Sequence, residues 1–339
     1  MSGTTPVVGS LRSLVEEKHK YGVLLYILPC EDMCRRTSIV AVAQGGVPAS
    51  PSFLNFIRAR YDEGQHRPII PLVQNAITFP ADQNSQHANT HTYLTANGQR
   101  SYILDVKTTD PARIIPLNVY KPYADRAPGR AASVLNRDLG LVPLWIVTDT
   151  GLGSPVGQQG VWALQNGNVP FTHPDGTKRT SLFVRIRWPG YPDWDSQIRL
   201  DNNQKTDVFT FKRLVELVKG KVRKFINDNE NRESSNPYWT VGSGRIAIED
   251  LNLLAILEVS KGAVMPILSL RHDFVFPDLR KTHSSLQGTV LTQNESAYGV
   301  NTPNAAGSSN DSQNDDFLYY LTGTTFSSYL NGASDMNLS

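Results

Sequence analysis

Ser181-Leu-Phe-Val-Arg-Ile-Arg-Trp-Pro-Gly-Tyr191, followed by Thr210-Phe-Lys-Arg-Leu-Val-Glu-Leu-Val-Lys-Gly-Lys-Val-Arg-Lys-Phe-Ile226, is where residue period, turn chemistry and charge agree. Leu182, Val184, Ile186 and Trp188 alternate with Phe183, Arg185 and Arg187, the pattern of a half-buried strand with a basic outer face. Pro189-Gly190 predicts a type II turn, in which Gly supplies the positive φ that follows Pro. The second segment predicts a helix over about 211–226 with Thr210 as N-cap. Phe211, Leu214, Val215, Val218, Val222, Phe225 and Ile226 share an arc of about 120° at 100° per residue. Lys212, Lys219 and Arg223 line one flank of that arc, and Arg213 and Lys224 lie opposite it.

Outward from this stretch the chain reads as short apolar runs separated by Gly, Pro and polar clusters. A short helix is expected over 10–21. Strands are expected at 23–28, 38–42, 69–73, 102–106, 114–120 and 141–147, because these runs are short, β-branched and aromatic. Residues 52–60 fit a helical period instead. Pro143 makes 141–147 an edge strand or delays its start to Leu144. A further helix is expected over 249–260, with Gly262 beyond its C-terminus, and 263–270 returns as a strand. Strands before, between and after helices give an α/β or α+β domain with a mixed sheet and a few amphipathic helices.

The 339 residues are long enough to bury a sizeable core, and 40% hydrophobic with 19% charged residues describes an ordinary globular protein. The net charge of +2 conceals an asymmetry. Residues 284–339 hold no Lys or Arg and five of the 31 acids, so residues 1–283 carry 33 bases against 26 acids, a net of +7. That field permits an acidic partner or nucleic acid without requiring either. One main domain is expected over 1–283, with residues 121–140 as the candidate internal linker. The Asn/Ser-rich residues 284–339 read as a disordered tail. Within that tail Phe317, Leu318, Tyr319, Tyr320 and Leu321 follow Asp315 and Asp316, the composition of a docking segment or of a strap that folds back on its own chain.

The chain has no apolar run of the ~20 residues that a membrane helix needs and no apolar segment of signal-peptide form, so a cytoplasmic or nuclear protein is expected. Cys30 and Cys34 are too few for a disulfide framework or a four-ligand zinc site. They read as two reduced thiols, with a metal site or a redox pair as the other options. His87 and His91 have a metal-like spacing but stand in a polar, loop-like segment. Asp149-Thr150-Gly151 resembles an aspartic-protease loop, yet that chemistry needs two carboxylates and this chain has one such tripeptide. Asp193 and Asp195, either side of Trp194, are candidate acid/base carboxylates or turn caps. Phosphate-loop, nucleophile-elbow and zinc-helix motifs are missing, so no cofactor is implied.

The basic positions carry two readings. Arg185, Arg187, Lys212, Arg213, Lys219, Arg223 and Lys224 form a candidate surface for nucleic acid or an acidic partner. Alternatively they are a solvated helix face, since Glu216 stands four residues after Lys212 and three before Lys219 and the C-terminal bases favourably meet the helix dipole. Trp188-Pro-Gly-Tyr191, Trp194-Asp-Ser-Gln-Ile198, the helix from Thr210, Leu152-Gly-Ser-Pro155 and Val259-Ser-Lys-Gly262 resemble a pattern in a family of proteins from mushroom-forming fungi. The resemblance covers about residues 140–270 and implies a fungal origin and one shared domain. The family has no established activity, and the resemblance transfers no site residue. Together these readings favour a non-catalytic protein that binds a protein partner or itself. A nucleic-acid-binding nuclear regulator and an enzyme with a dispersed site are the alternatives.

Overall fold

The computed structural model describes residues 10–276 apart from 67–68, 70–72, 74, 82–90, 122–141, 161–162, 172–179, 201–207 and 261. Residues 122–140 of the candidate linker, His87 and the tail segment Phe317–Leu321 lie outside the described residues. Those that are described form an α+β fold with mixed sheets.

Three helices open the chain: α1 (Leu11–Lys18), α2 (Cys30–Ala43) and α3 (Phe53–Gln65). They pack on a small antiparallel sheet ordered β1-β3-β2, from β1 (Ala76–Pro80), β2 (Thr92–Leu94) and β3 (Arg100–Val106). Leu14, Val40, Phe53, Ile57, Tyr61 and Phe79 are buried between these layers. Ser10 caps α1, its side chain accepting from the Ser13 amide.

The second layer is a six-stranded sheet. Its path runs β4-β10-β11-β8-β9, from β4 (Leu144–Trp145), β10 (Leu251–Ser260), β11 (Ala263–Leu270), β8 (Ser181–Ile186) and β9 (Trp194–Arg199). A short strand β7 (Ser154–Pro155) also pairs with β10. β5 (Val147–Thr148) and β6 (Gly151–Leu152) form a separate hairpin. β8 runs parallel to β11 and antiparallel to β9, which makes the sheet mixed. Helix α4 (Phe211–Asn229) lies across β8 and β9. Trp145 ties the two sheets together: its indole Nε1 donates to Ile103 O at 3.0 Å, and its carbonyl accepts from Tyr93 Oη at 2.9 Å.

The strand, the turn and the capped amphipathic helix expected over 181–226 are present, the strand ending at Ile186. All seven residues assigned to the apolar arc of α4 are buried. Thr210 accepts from the Arg213 amide, and α4 continues three residues past the expected end. Gly190 has φ +84°, and the Tyr191 amide closes the turn on Trp188 O at 3.1 Å. Trp188 and Tyr191 are core residues. Trp188 Nε1 donates to Trp239 O at 2.7 Å, Tyr191 Oη accepts from the Val241 amide at 3.0 Å, and both rings meet Phe225.

Four expectations are corrected. Residues 249–260 are not a helix: after a 3-10 turn at Ile248–Asp250, Leu251–Ser260 is the long strand β10, hairpinned to β11. A strand covered on both faces is as continuous in apolar character as a buried helix, so the run itself does not separate the two. Gly262 accordingly lies in the hairpin turn. Residues 23–28 hold a 3-10 turn, Leu24–Tyr26 with Leu24 buried, rather than a strand. Residues 38–42 sit inside α2, where the wet first turn carries Glu31 and Asp32 and tertiary burial overrides the β-branched composition. Residues 114–120 cross the large sheet as an extended segment with a single bridge, Ile114 to Ser269.

Gly190 permits the close approach of the segment after α4. A Cβ there would collide with Ser234 Oγ and lie 2.6 Å from Asn236 N, at a φ that side chains rarely adopt. Gly190→Ala is expected to cost more than about 2 kcal/mol, beyond the ordinary Gly-to-Ala range. Urea unfolding followed by tryptophan fluorescence checks it, and an unchanged midpoint would show that the turn does not hold residues 234–241.

Candidate functional site

Alternation along β8 decides where the predicted basic residues go. Leu182, Val184 and Ile186 pair with Ile198, Ser196 and Trp194 of β9 and share their face. That face meets α4, since Trp188 and Trp194 both pack on Phe225 and Trp194 Nε1 donates to Asp228 Oδ2 at 3.2 Å. Phe183 and Arg185, paired with Gln197 and Asp195, therefore point to the opposite face. The strand arginines and the bases of α4 stand on opposite sides of the sheet. A composite strand–helix surface is not formed.

The bases are also largely matched. Arg185 is ion-paired to Asp195. Arg187, only 8% exposed, reaches Asp193 at 2.9 Å and Asp195 at 2.8 Å. Asp193 and Asp195 are thus counter-ions to the arginines of β8. Both guanidinium groups lie over the Tyr120 ring, at 4.6 Å for Arg185 and 5.1 Å for Arg187, and Arg185 is 4.8 Å from the Phe183 ring. Cation–π stacking and the sharing of Asp195 between the two arginines hold these groups together. On α4, Lys224 is paired with Asp228 at 2.8 Å, and Arg223 Nη1 donates to Val156 O at 2.7 Å. Lys212 and Arg213 remain exposed.

Lys219 corrects the helix-flank reading. It is fully buried, with Nζ donating to Ser154 Oγ at 3.2 Å and lying 3.5 Å from Glu216 Oε1. Its position at the margin of the apolar arc is closed over by β7, which the helical wheel alone does not reveal. Burial lowers its pKa from the ordinary lysine value, with the Glu216 carboxylate opposing that shift. A serine hydroxyl against such an amine is the pairing of a Ser–Lys nucleophile. Here Ser154 is itself 4% exposed and fixed in the β7–β10 ladder, so substrate has no approach to the hydroxyl and the pair serves packing.

A second sealed network joins the N-terminal layer. His19 Nδ1 is 3.1 Å from Asp105 Oδ2 and its Nε2 is 2.8 Å from Tyr61 Oη, which lies 3.2 Å from Thr37 Oγ1. Asp105 Oδ1 accepts the amides of Leu24 and Val106 at 3.0 and 2.8 Å. The order carboxylate–imidazole–hydroxyl matches a nucleophile relay, but all four side chains are buried. Burial raises the Tyr61 phenol far above its ordinary value, which keeps it a hydrogen-bonding group. This network ties α1, α2 and α3 to β3. The sequence signal available for it was Asp105 itself, a charge inside an apolar strand run.

Asp149 and Thr150 are the exposed two-residue loop between β5 and β6, with Thr148 Oγ1 donating to Gly151 O at 3.0 Å. That is a hairpin turn, not half of a protease site. Among the described residues no group of three or more His, Cys, Asp or Glu is arranged to hold a metal, and no helix is long and apolar enough to cross a membrane.

Among the described residues, the outer face of β8–β9 is one surface that places an exposed aromatic beside charged groups. Phe183 is 40% exposed there, beside Arg185, Tyr120, Gln197 and the edge strand β9. In the sequence the alternating pattern marks Phe183 only as outward-facing.

For Lys219 the sign of the pH effect follows from the lowered pKa. The folded state disfavours its charge, so that cost is fully present below the folded pKa and fades as pH rises toward the unfolded value of about 10.4. Lys219→Met is expected to be neutral or stabilising by about 1–2 kcal/mol at pH 7, with an advantage that shrinks toward alkaline pH. Denaturant melts at pH 7 and pH 9.5 check this. A loss of several kcal/mol would instead make Nζ–Ser154 a net stabiliser. No protein-family model, curated protein or solved structure matches this chain.

Proposed function

We propose that this chain is a non-catalytic assembly protein of the cytoplasm or nucleus of a fungal cell, and that it associates with a second copy of itself through the outer face and free edge of β8–β9. The observation that carries the reading is the charge order of β9. This strand ends the sheet, and among the described residues no strand pairs beyond it. Asp195, Gln197 and Arg199 lie on its outer face. Antiparallel pairing of two copies about a two-fold axis at Gln197 sets Asp195 of each, which also bridges Arg185 and Arg187 of its own chain, against Arg199 of the other, on the face that carries Phe183. An isologous contact requires such self-complementarity. Opposite charges placed across strands add a few tenths to about 1 kcal/mol each. Exposed Phe183, half-buried Tyr120 and the stacked Arg185 have the residue types enriched in binding hot spots.

The sealed condition of Ser154–Lys219 and of Asp105–His19–Tyr61 supports a binding rather than a catalytic role. The nucleic-acid reading has less support, because the arginines of β8 already hold carboxylates and lie across the sheet from Lys212 and Arg213.

Light scattering after size exclusion is expected to give a dimer that dissociates on dilution. Arg199→Glu, which sets like charges across the axis, should shift dissociation at least tenfold toward monomer, and Phe183→Ser should weaken it as well. A wild-type chain that stays monomeric at high micromolar concentration would end the proposal. So would a dimer indifferent to Arg199→Glu.

A further inference from the structure

The dithiol at the start of α2 plays no part in the assembly surface. Cys30 occupies the first position of α2 and Cys34 the fifth, so a helical rotation of about 400° brings both to one side. Their sulfurs are 3.9 Å apart and both thiols are free. Cys34 is buried, and Cys30 is partly open to solvent, so the pair is reached from the Cys30 side. The helix start at this point is bare: Pro29 stands at the N-cap and makes no side-chain cap bond.

We propose that Cys30 and Cys34 form a two-thiol binding site for a trivalent arsenical. The separation selects the bridging chemistry. A disulfide bond of about 2.0 Å would require the sulfurs to close roughly half their gap. A single atom bonded to both at about 2.3 Å, the length of a zinc–thiolate bond, spans it with little change of rotamer. Zinc itself takes four ligands, and the described residues supply no third His, Cys, Asp or Glu in a metal-holding group. A centre satisfied by two sulfurs is therefore selected. The balance is closed without an oxidant: each As–OH group of an arylarsonous acid condenses with one S–H, forming an As–S bond and releasing water, so two thiols give a cyclic dithioarsenite and two waters. Burial keeps both thiols protonated at neutral pH. That slows thiolate reactions such as alkylation, while chelation by two neighbouring sulfurs favours the condensation. The bridge links the first turn of α2 to the second and so stabilises the uncapped helix start.

Phenylarsine oxide, which hydrates to the arylarsonous acid, is the probe. Titration of the full chain under reducing monothiol conditions, read by intact-mass spectrometry and thermal melting, is expected to show one adduct per chain. That adduct should bring a higher melting temperature and be removed by excess ethanedithiol. Cys30→Ser, at the partly exposed position, should lower affinity at least 100-fold while the uncomplexed chain still melts cooperatively. Cys34→Ala fills the buried position without a polar group and should lose the adduct equally. Undiminished binding by either folded variant, or failure of the wild type to form the one-to-one adduct, would overturn the site.

Discussion

The β10–β11 hairpin is apolar on both faces, and that constraint organises the rest of the molecule. Nearly every residue from Leu251 to Leu270 that can be described is buried, so the hairpin needs a cover on each side and a neighbour on each edge. One edge takes β4 and β7, the other β8. Helix α4 reaches the sheet from one face through β8 and β9. The extended segment Ile114–Tyr120 crosses from the other, with the Ile115 amide on Leu268 O at 3.0 Å and the Tyr120 amide against Met265 Sδ at 3.1 Å. Each fully buried aliphatic side chain here contributes on the order of 1.5–3 kcal/mol. A hairpin of this composition left uncovered would present a surface that aggregates.

The same constraint explains what could be read in the sequence. Strand β8 and helix α4 each have one wet face, so their periods of 2 and 3.6 are visible, and Thr210, Pro189 and Gly190 mark their ends. Strand β10 has no wet face. Leu251-Asn-Leu-Leu-Ala-Ile-Leu-Glu-Val-Ser260 therefore carries no alternation, and a strand and a buried helix give it the same pattern. Cys30–Ala43 fails in the opposite sense: it is a helix, but Thr37, Ile39, Val40 and Val42 favour strands locally, and packing against α1 and α3 outweighs that preference.

Charge was legible as composition and illegible as geometry. The bases of 185–224 are real, but whether each faces solvent depends on partners distant in sequence. Asp195 is ten residues from Arg185, and Ser154 is 65 residues from Lys219. Helical position placed Lys219 beside its Glu216 partner correctly, yet β7 closes over that flank. His19, Tyr61 and Asp105 come together over separations of 42 and 86 residues, and no local pattern announces them. Both networks spend ionisable groups on holding layers together rather than on an opening to substrate.

The Trp188-Pro-Gly-Tyr191 turn shows how local chemistry becomes long-range order. Pro fixes one torsion and Gly190 accepts the left-handed one, so Trp188 and Tyr191 leave the turn toward the same helix. Both rings meet Phe225. Their polar ends take the Trp239 carbonyl and the Val241 amide, and the Gly190 carbonyl takes the Ser235 amide at 3.0 Å. The segment between α4 and β10 is thus fastened to the end of β8 by three hydrogen bonds. It can then deliver β10 to the centre of the sheet next to β11, with β8 in parallel register on the far side. β11 lies between β10 and β8. That leaves β9, on the outside of β8, as the end of the sheet among the described residues, a consequence of the same geometry that buries the centre.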